Sequence, residues 1–252
     1  RPYETEEGAV DALHKEWLDR IQPNVKNGSF HEFKRNVAKI VEDFDNIPLT
    51  AEKKPRVAIV GEILVKYSPI ANNNIVRVLE NEGAEVVCPD IVGFMNYSLY
   101  NQVYKYDHLG GSKKSKVLAE LAIKMIRLCE KPMNEALKNS ERFDGIEAIE
   151  QIADGAQDIL SLGNQTGEGW FLTGEMVESL QNGVNNIVCM QPFGCLPNHV
   201  VGKGVVKELR SKYPMANIAL VDYDPSLSFV NQLNRIRLML ATARKNMTEN
   251  VK

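Results

Sequence analysis

Residues 185–224 read NNIVCMQPFGCLPNHVVGKGVVKELRSKYPMANIALVDYD. The run NNIVCMQ is short and almost continuously apolar, the pattern of a strand buried on both faces. GKGVVKELRSKY reads as a helix, and ANIALVDYD as a second strand of the same kind. A strand, a helix and a further strand in that order form the βαβ unit that joins parallel neighbours. The same order occurs upstream: RVAIVG is a strand, NNNIVRVLENEG a helix stopped by Gly83, and AEVVCPD a strand. Two such units, beginning near Arg56 and Asn186, predict an α/β fold with a doubly wound parallel sheet covered by helices on both faces.

The other segments are mostly helical by period. VDALHKEWLDRIQ sets Val10, Leu13, Trp17, Leu18 and Ile21 near one face. After the break Asn27-Gly28-Ser29, with Ser29 as N-cap, FHEFKRNVAKIVEDF repeats the pattern. Ile47 to Pro55 reads as a linker. Residues 93–114 are tyrosine-rich and read as irregular. KSKVLAELAIKMIRLCE is a strongly amphipathic helix expected to stop near Pro132. EALKNS, IEAIEQIADGAQDIL and SLSFVNQLNRIRLMLATARK are further helices, and GEGWFLTGEMVESLQNG is a loop running into a helix that ends at Gly183. The expected division is an N-terminal helical segment (1–50), a first βαβ unit with a helical insertion (51–145), and a second βαβ unit with a C-terminal helix (146–252).

Of 252 residues, 44% are hydrophobic and 25% charged, the composition of a globular chain. The formal net charge of -3 offers no general attraction to nucleic acid or to an anionic membrane. No apolar run approaches the roughly 20 residues of a membrane span. The start RPYETEEGAV has neither an apolar leader nor a methionine, so a piece of a longer cytoplasmic protein is expected. The four cysteines, Cys88, Cys129, Cys189 and Cys195, form no C-x-x-C pair, so reduced thiols are expected.

Ligands of open α/β sheets bind beyond the carboxyl ends of the strands. Here those ends are GEILVKYSP with Glu62, Lys66 and Tyr67, CPD with Asp90, QPFGCLPNH, and DYDPS with Asp222, Tyr223 and Asp224. QPFGCLPNH is the densest in reactive groups. Cys195 lies in a connection, where a ligand can reach it. Gly194 permits a positive φ, and Pro192 and Pro197 restrict the turn. Lys203 and the N–H groups of GKG would favour a thiolate. A packed loop cysteine is the plain alternative, and core packing is expected of Cys88, Cys129 and Cys189. His199 could bind a ligand, carry a proton, or simply hydrogen-bond within its turn. In GNQTGEGW three glycines hold Glu168 before a helix. Neither a Walker A sequence nor G-x-G-x-x-G is present, so ATP hydrolysis and nicotinamide binding are not expected of these residues.

Three long motifs, VAIVGEILVKYSPIANNNIVRVLENEGAEVVCPDI, GEGWFLTGEM and QPFGCLPNHVVGKGVVKELRSKYP with the strand and helix after it, resemble one family. It is the C-terminal part of large proteins related to activases of 2-hydroxyacyl-CoA dehydratases, similar in turn to the dehydratase subunits (the 2-hydroxyglutaryl-CoA dehydratase D-component family). The resemblance covers about Pro55 to Ala243. It implies Rossmann-like α/β lobes, a [4Fe-4S] cluster held between lobes by cysteines, and electron transfer driven by ATP in segments not present here, in an anaerobic cytoplasm. It makes Cys195 the cluster ligand of choice, with Glu62, Glu168 and His199 as candidate catalytic groups and Tyr67, Gly194 and Lys203 lining a cofactor site. One well-placed thiol among the four a cluster takes implies an incomplete site. The implied partners are the remaining domains of the full protein and an acyl-CoA, with no nucleic acid or membrane and with homo-oligomerisation left open. Two other readings stand beside this one: a docking or anion-binding module without chemistry, and a cysteine-nucleophile enzyme using Cys195 and His199.

Overall fold

A computed structural model describes residues 1–224 and 229–249, so the start of the last expected helix, Ser226 to Ser228, lies outside the described residues. In chain order the elements are α1 (Ala9–Asn27), α2 (Phe30–Asp45), β1 (Arg56–Gly61), α3 (Ile63–Tyr67), α4 (Ile75–Asn81), β2 (Glu85–Val87), α5 (Ile91–Leu109), α6 (Lys113–Lys138), α7 (Ile149–Gln157), α8 (Gly169–Gln181), β3 (Asn186–Pro192), α9 (Leu196–Asn198), a π-helical turn (His199–Lys203), α10 (Val206–Lys212), β4 (Asn217–Tyr223) and α11 (Phe229–Glu249). They group into two units, residues 1–53 with 113–147 and residues 54–112 with 148–252.

The first unit is helical. Gly28, at φ 65°, ends α1, and Ser29 caps α2 by accepting from the Glu32 N–H at 3.3 Å. Trp17 Nε1 donates to Asp43 Oδ2 at 3.1 Å and ties α1 to α2. Helix α6 packs on α2 through a face that buries Ala119 and Ile123. It does not stop at Pro132, because an interior proline removes one N–H without forcing the chain out of the helix. Arg142 Nη1 then donates to the carbonyls of Phe44 and Ile47, at 3.1 and 2.8 Å.

The second unit is a Rossmann-like α/β layer structure. Its four strands are all parallel, in the order β2-β1-β3-β4. Successive strand residues point to opposite faces, and both faces are covered, which is why the strands read as continuous apolar runs. Ala58, Val60, Ile187, Cys189 and Ile218 pack under α8 and α10. Val57, Ile59, Val188, Met190 and Val221 pack under α3, α4 and α11. The two βαβ units therefore complete one sheet, and α6 belongs with α1 and α2. The boundary expected near residue 145 falls between units, but the second sheet element does not stand alone.

Residues 93–114 are not irregular: most of them form α5. Asp90 caps it by accepting from the Gly93 N–H at 2.8 Å, and Gly110 ends it at φ 70°. Its buried positions Tyr97, Asn101 and half-buried Tyr104 follow helical spacing, but tyrosine and asparagine are weak helix formers and hide the period. That face packs against Trp170 and Phe171 of α8, with the Tyr97 and Trp170 rings 5.1 Å apart and edge to face.

Because β1 is followed by β2 on one side and β3 lies on the other, the strand order reverses between β1 and β3, the topological switch point of such sheets. Gly61 closes β1 there at φ 145°, and a Cβ on it would lie 1.9 Å from the Met190 carbonyl oxygen. Gly61→Ala is expected to cost more than about 3 kcal/mol in denaturant unfolding. Gly183→Ala, at a positive φ of 75° but in open space, should cost only about 1 kcal/mol. Equal losses would contradict the close approach at Met190.

Candidate functional site

The switch point brings Glu62 and Glu168 together. Glu62 is the N-cap of α3 and its Oε2 accepts from the Val65 N–H at 2.8 Å. Glu168, buried at the start of α8, accepts from the Ile63 N–H through Oε1 at 3.1 Å. Asn198 is fully buried; with its amide oriented by its neighbours, Nδ2 donates to Glu168 Oε2 at 2.8 Å and Oδ1 accepts from the Glu62 N–H at 3.3 Å. Dinucleotide-binding proteins of this architecture place phosphate on the N–H groups that follow β1. Here two carboxylates occupy them, and an incoming anion would meet like charge. An anion-binding module is therefore the reading this corner supports least.

Lys66 of α3 contacts Glu175 of α8 directly, and both are nearly sealed from water, 4% and 2% exposed. Burial works against the ammonium, but the Glu175 carboxylate outweighs it and holds the Lys66 pKa above its ordinary value. Tyr67 donates its hydroxyl to the Pro89 carbonyl at 2.8 Å, and burial, opposed by Lys66, pushes its pKa up to about 12. The phenol is thus a neutral, committed hydrogen-bond donor. Glu175 does not stand out in the sequence, although an acid beside Leu172 and Met176 within GWFLTGEMVESL is a signal for a buried partner.

The QPFGCLPNH turn leaves β3 with Phe193 N–H donating to the Tyr223 carbonyl at 2.9 Å and Cys195 N–H to the Pro192 carbonyl at 3.2 Å. Gly194 has the expected positive φ, 76°. The side chain of Cys195 is half-buried, and its neighbours Phe193 and Leu196 are 68% and 74% exposed. Its carbonyl accepts from both the N–H of His199, at 3.1 Å, and the ring, with Nδ1 at 2.7 Å. Lys203 Nζ lies 3.2 Å from His199 Nε2 and donates to Asp222 Oδ1 and Oδ2 at 2.8 and 2.9 Å. A carbonyl on one ring nitrogen and an ammonium on the other fix the tautomer: Nδ1 carries the hydrogen and Nε2 accepts. Neither nitrogen remains for the Cys195 thiol, so a Cys–His nucleophile pair is not formed. Lys203 faces Asp222 rather than the sulfur. Burial alone would raise the Asp222 pKa, but the Lys203 ammonium and the Gln191 amide, donating at 2.8 Å, hold it below the ordinary value. The other end of that amide, Gln191 Oε1, is buried and has no partner among the described residues.

The other cysteines differ from expectation in part. Cys189 is buried in β3, its thiol pushed up to about 12 by burial, as a core residue should be. Cys88 and Cys129 are exposed, because β2 ends at Val87 and because Cys129 lies off the face of α6 that meets α2. Among the described residues no three His, Cys, Asp or Glu side chains gather as a metal site needs. Among the described residues, then, no complete iron–sulfur site is assembled. No helix among the described residues is long and apolar enough to cross a membrane. Comparison with known proteins finds no matching family model, no matching curated protein and no matching solved structure.

The buried and half-buried charges give two expected outcomes. Lys66→Met should destabilise by about 3–5 kcal/mol by stranding Glu175, and adding Glu175→Leu should recover most of the loss in denaturant unfolding. A double variant as unstable as the single one would contradict the pairing. Asp222 has a depressed folded-state pKa, so its contribution is present above the unfolded value of about 4 and is lost as pH falls through the folded value. Asp222→Asn should therefore lower Tm at neutral pH and flatten the drop in Tm between about pH 5 and pH 3.

Proposed function

We propose that this chain is a dehydratase-like domain of an acyl-CoA dehydratase activase-related protein, in which Cys195 supplies one thiolate to a [4Fe-4S] cluster. The other ligands come from protein outside the described residues, and the assembly works in a cytoplasmic, ATP-linked electron-transfer system for 2-hydroxyacyl-CoA dehydration. The observation that carries this reading is the placement of Cys195, half-buried on a turn that follows the end of β3 and is held by Pro192, the Tyr223 carbonyl and His199. Exposed Phe193, Leu196 and Val200 border it, an apolar collar suited to cover by a second protein surface. The extended sequence resemblance around the same residues supports it as well.

Within this assignment the residues of the chain have stated tasks. His199, steadied by Lys203 and Asp222, holds the Cys195 carbonyl and so sets the turn that presents the thiol. Glu62, Glu168 and Asn198 fill the adjoining crevice with paired polar groups and keep anions from the β1 end. The described residues do not complete the cluster. The same exposed collar favours a second reading, a docking surface without metal.

Anaerobic reconstitution with ferrous iron and sulfide separates the two. Assembled with the protein that supplies the other ligands, the wild-type chain should give broad visible absorbance with bound iron and sulfide. Cys195→Ser should lose at least about half of both, and Cys88→Ser should lose none. Iron and sulfide retained in full by Cys195→Ser would leave only the docking reading.

A further inference from the structure

Helix α6 carries the largest unshared apolar stripe of the first unit. Val117, Leu118, Leu121, Met125 and Leu128 are 55% to 69% exposed. They recur at i, i+3, i+4 spacing and fall within an arc of about 100° at 3.6 residues per turn. The opposite face, with Ala119 and Ile123, is the one packed against α2, so the stripe has no partner within its own unit. A run of four large apolar side chains, Leu118, Leu121, Met125 and Leu128, at alternating spacings of three and four is the seam of a helix–helix interface rather than scattered surface leucines.

The borders of the stripe differ in charge. On one side lie Lys113, Lys124, Arg127 and Lys131, all exposed, with two acids, Glu120, which Lys116 holds at 3.9 Å, and Glu135, which Lys131 holds at 3.8 Å. On the other side lie Ser115, Ala122 and Cys129, which carry no charge. Across the whole helix seven Lys and Arg stand against three Glu, in a chain whose net charge is -3. The helix thus carries net positive charge in an acidic chain, and most of its basic groups lie along one edge of an apolar seam.

We infer that this face of α6 docks an amphipathic helix of a partner protein, one with an apolar stripe bordered by glutamate or aspartate. A second copy of this chain fits less well. In an antiparallel two-fold pairing each border meets its own copy, which sets the Lys124 side against itself, and a parallel pairing sets it against an uncharged border. An anionic bilayer fits less well too: apart from Lys114 the basic groups lie to one side of the stripe, and the chain as a whole carries negative charge. A helix with an acidic border gains ion pairs along the whole seam and buries the five exposed side chains.

The test uses the chain as it stands with two designed helical peptides of about four heptads, identical in their leucine seam, one bordered by Glu and the other by Lys. Fluorescence anisotropy at moderate salt should show the Glu peptide binding at least about tenfold tighter than the Lys peptide. Leu121→Glu with Met125→Glu should reduce that binding at least about tenfold, with the circular dichroism and thermal melt of the chain unchanged because both side chains are exposed. Lys124→Glu with Lys131→Glu should reverse the order of the peptides, which a merely structural role for these lysines would not do. Equal affinity for the two peptides, or binding to neither, overturns the proposal. So does self-association in sedimentation that Leu121→Glu abolishes, or binding to phosphatidylserine vesicles without a preference between peptides.

Discussion

The carboxyl edge of the sheet depends on one close approach, the backbone of Gly61 against the backbone of Met190. Without a side chain at Gly61 the end of β1 can lie flat on β3 at φ 145°, and the next N–H, that of Glu62, donates to the Met190 carbonyl at 2.9 Å. This contact fixes where α3 starts. The start of α3 in turn fixes the Glu62 cap, the Ile63 N–H that Glu168 takes, and the burial of Lys66 against Glu175. Any residue larger than glycine at this point would push β1 from β3 and shift every one of these groups.

That constraint produces an edge crowded with polar groups that are mostly matched. The N–H groups that begin α3 go to two carboxylates, the Asn198 amide joins the Glu168 carboxylate to the Glu62 N–H, and the Cys195 carbonyl takes two donors from His199. Buried pairs such as Lys66–Glu175 contribute little net stability, since desolvation offsets attraction. Their effect is on geometry: an ammonium and a carboxylate that must meet allow α3 and α8 a single register. Glycine-permitted turns, a proline-bounded loop and a π-helical turn lie together at the same edge, which is where strained backbone tends to collect in functional proteins.

The strands were readable because both faces of the sheet are covered, which leaves no polar residue to interrupt RVAIVG or NNIVCM. Gly83, Gly183 and Ser29 marked helix ends for the reasons their backbone angles and caps now show. Helix α5 was hidden, because its buried face is built from tyrosine and asparagine that neither favour helix nor look apolar in a row. Cys88 and Cys129 looked like core residues because each follows an apolar run, yet Cys88 lies just past the last paired residue of β2 and Cys129 lies on the side of α6 that α2 leaves open. In the site, the types Glu62, Glu168, His199, Lys203 and Cys195 stood out in sequence, but their partners did not. Asn198, Gln191 and Glu175 take their roles from contacts between segments far apart in the chain, which spacing along one segment cannot express; Asp222 was legible at the end of its strand, but its pairing with Lys203 was not.

Tyr97 illustrates how such a partner acts at a distance. Its single hydroxyl hydrogen is shared between the carbonyls of Gln165 and Gly167, at 3.1 and 3.0 Å, in the loop that carries Glu168. Burial pushes the phenol up to about 12, so it keeps that hydrogen at any acidity a living compartment reaches. That bond is thus insensitive to pH, and it ties the backbone on either side of Glu168 to the position of α5.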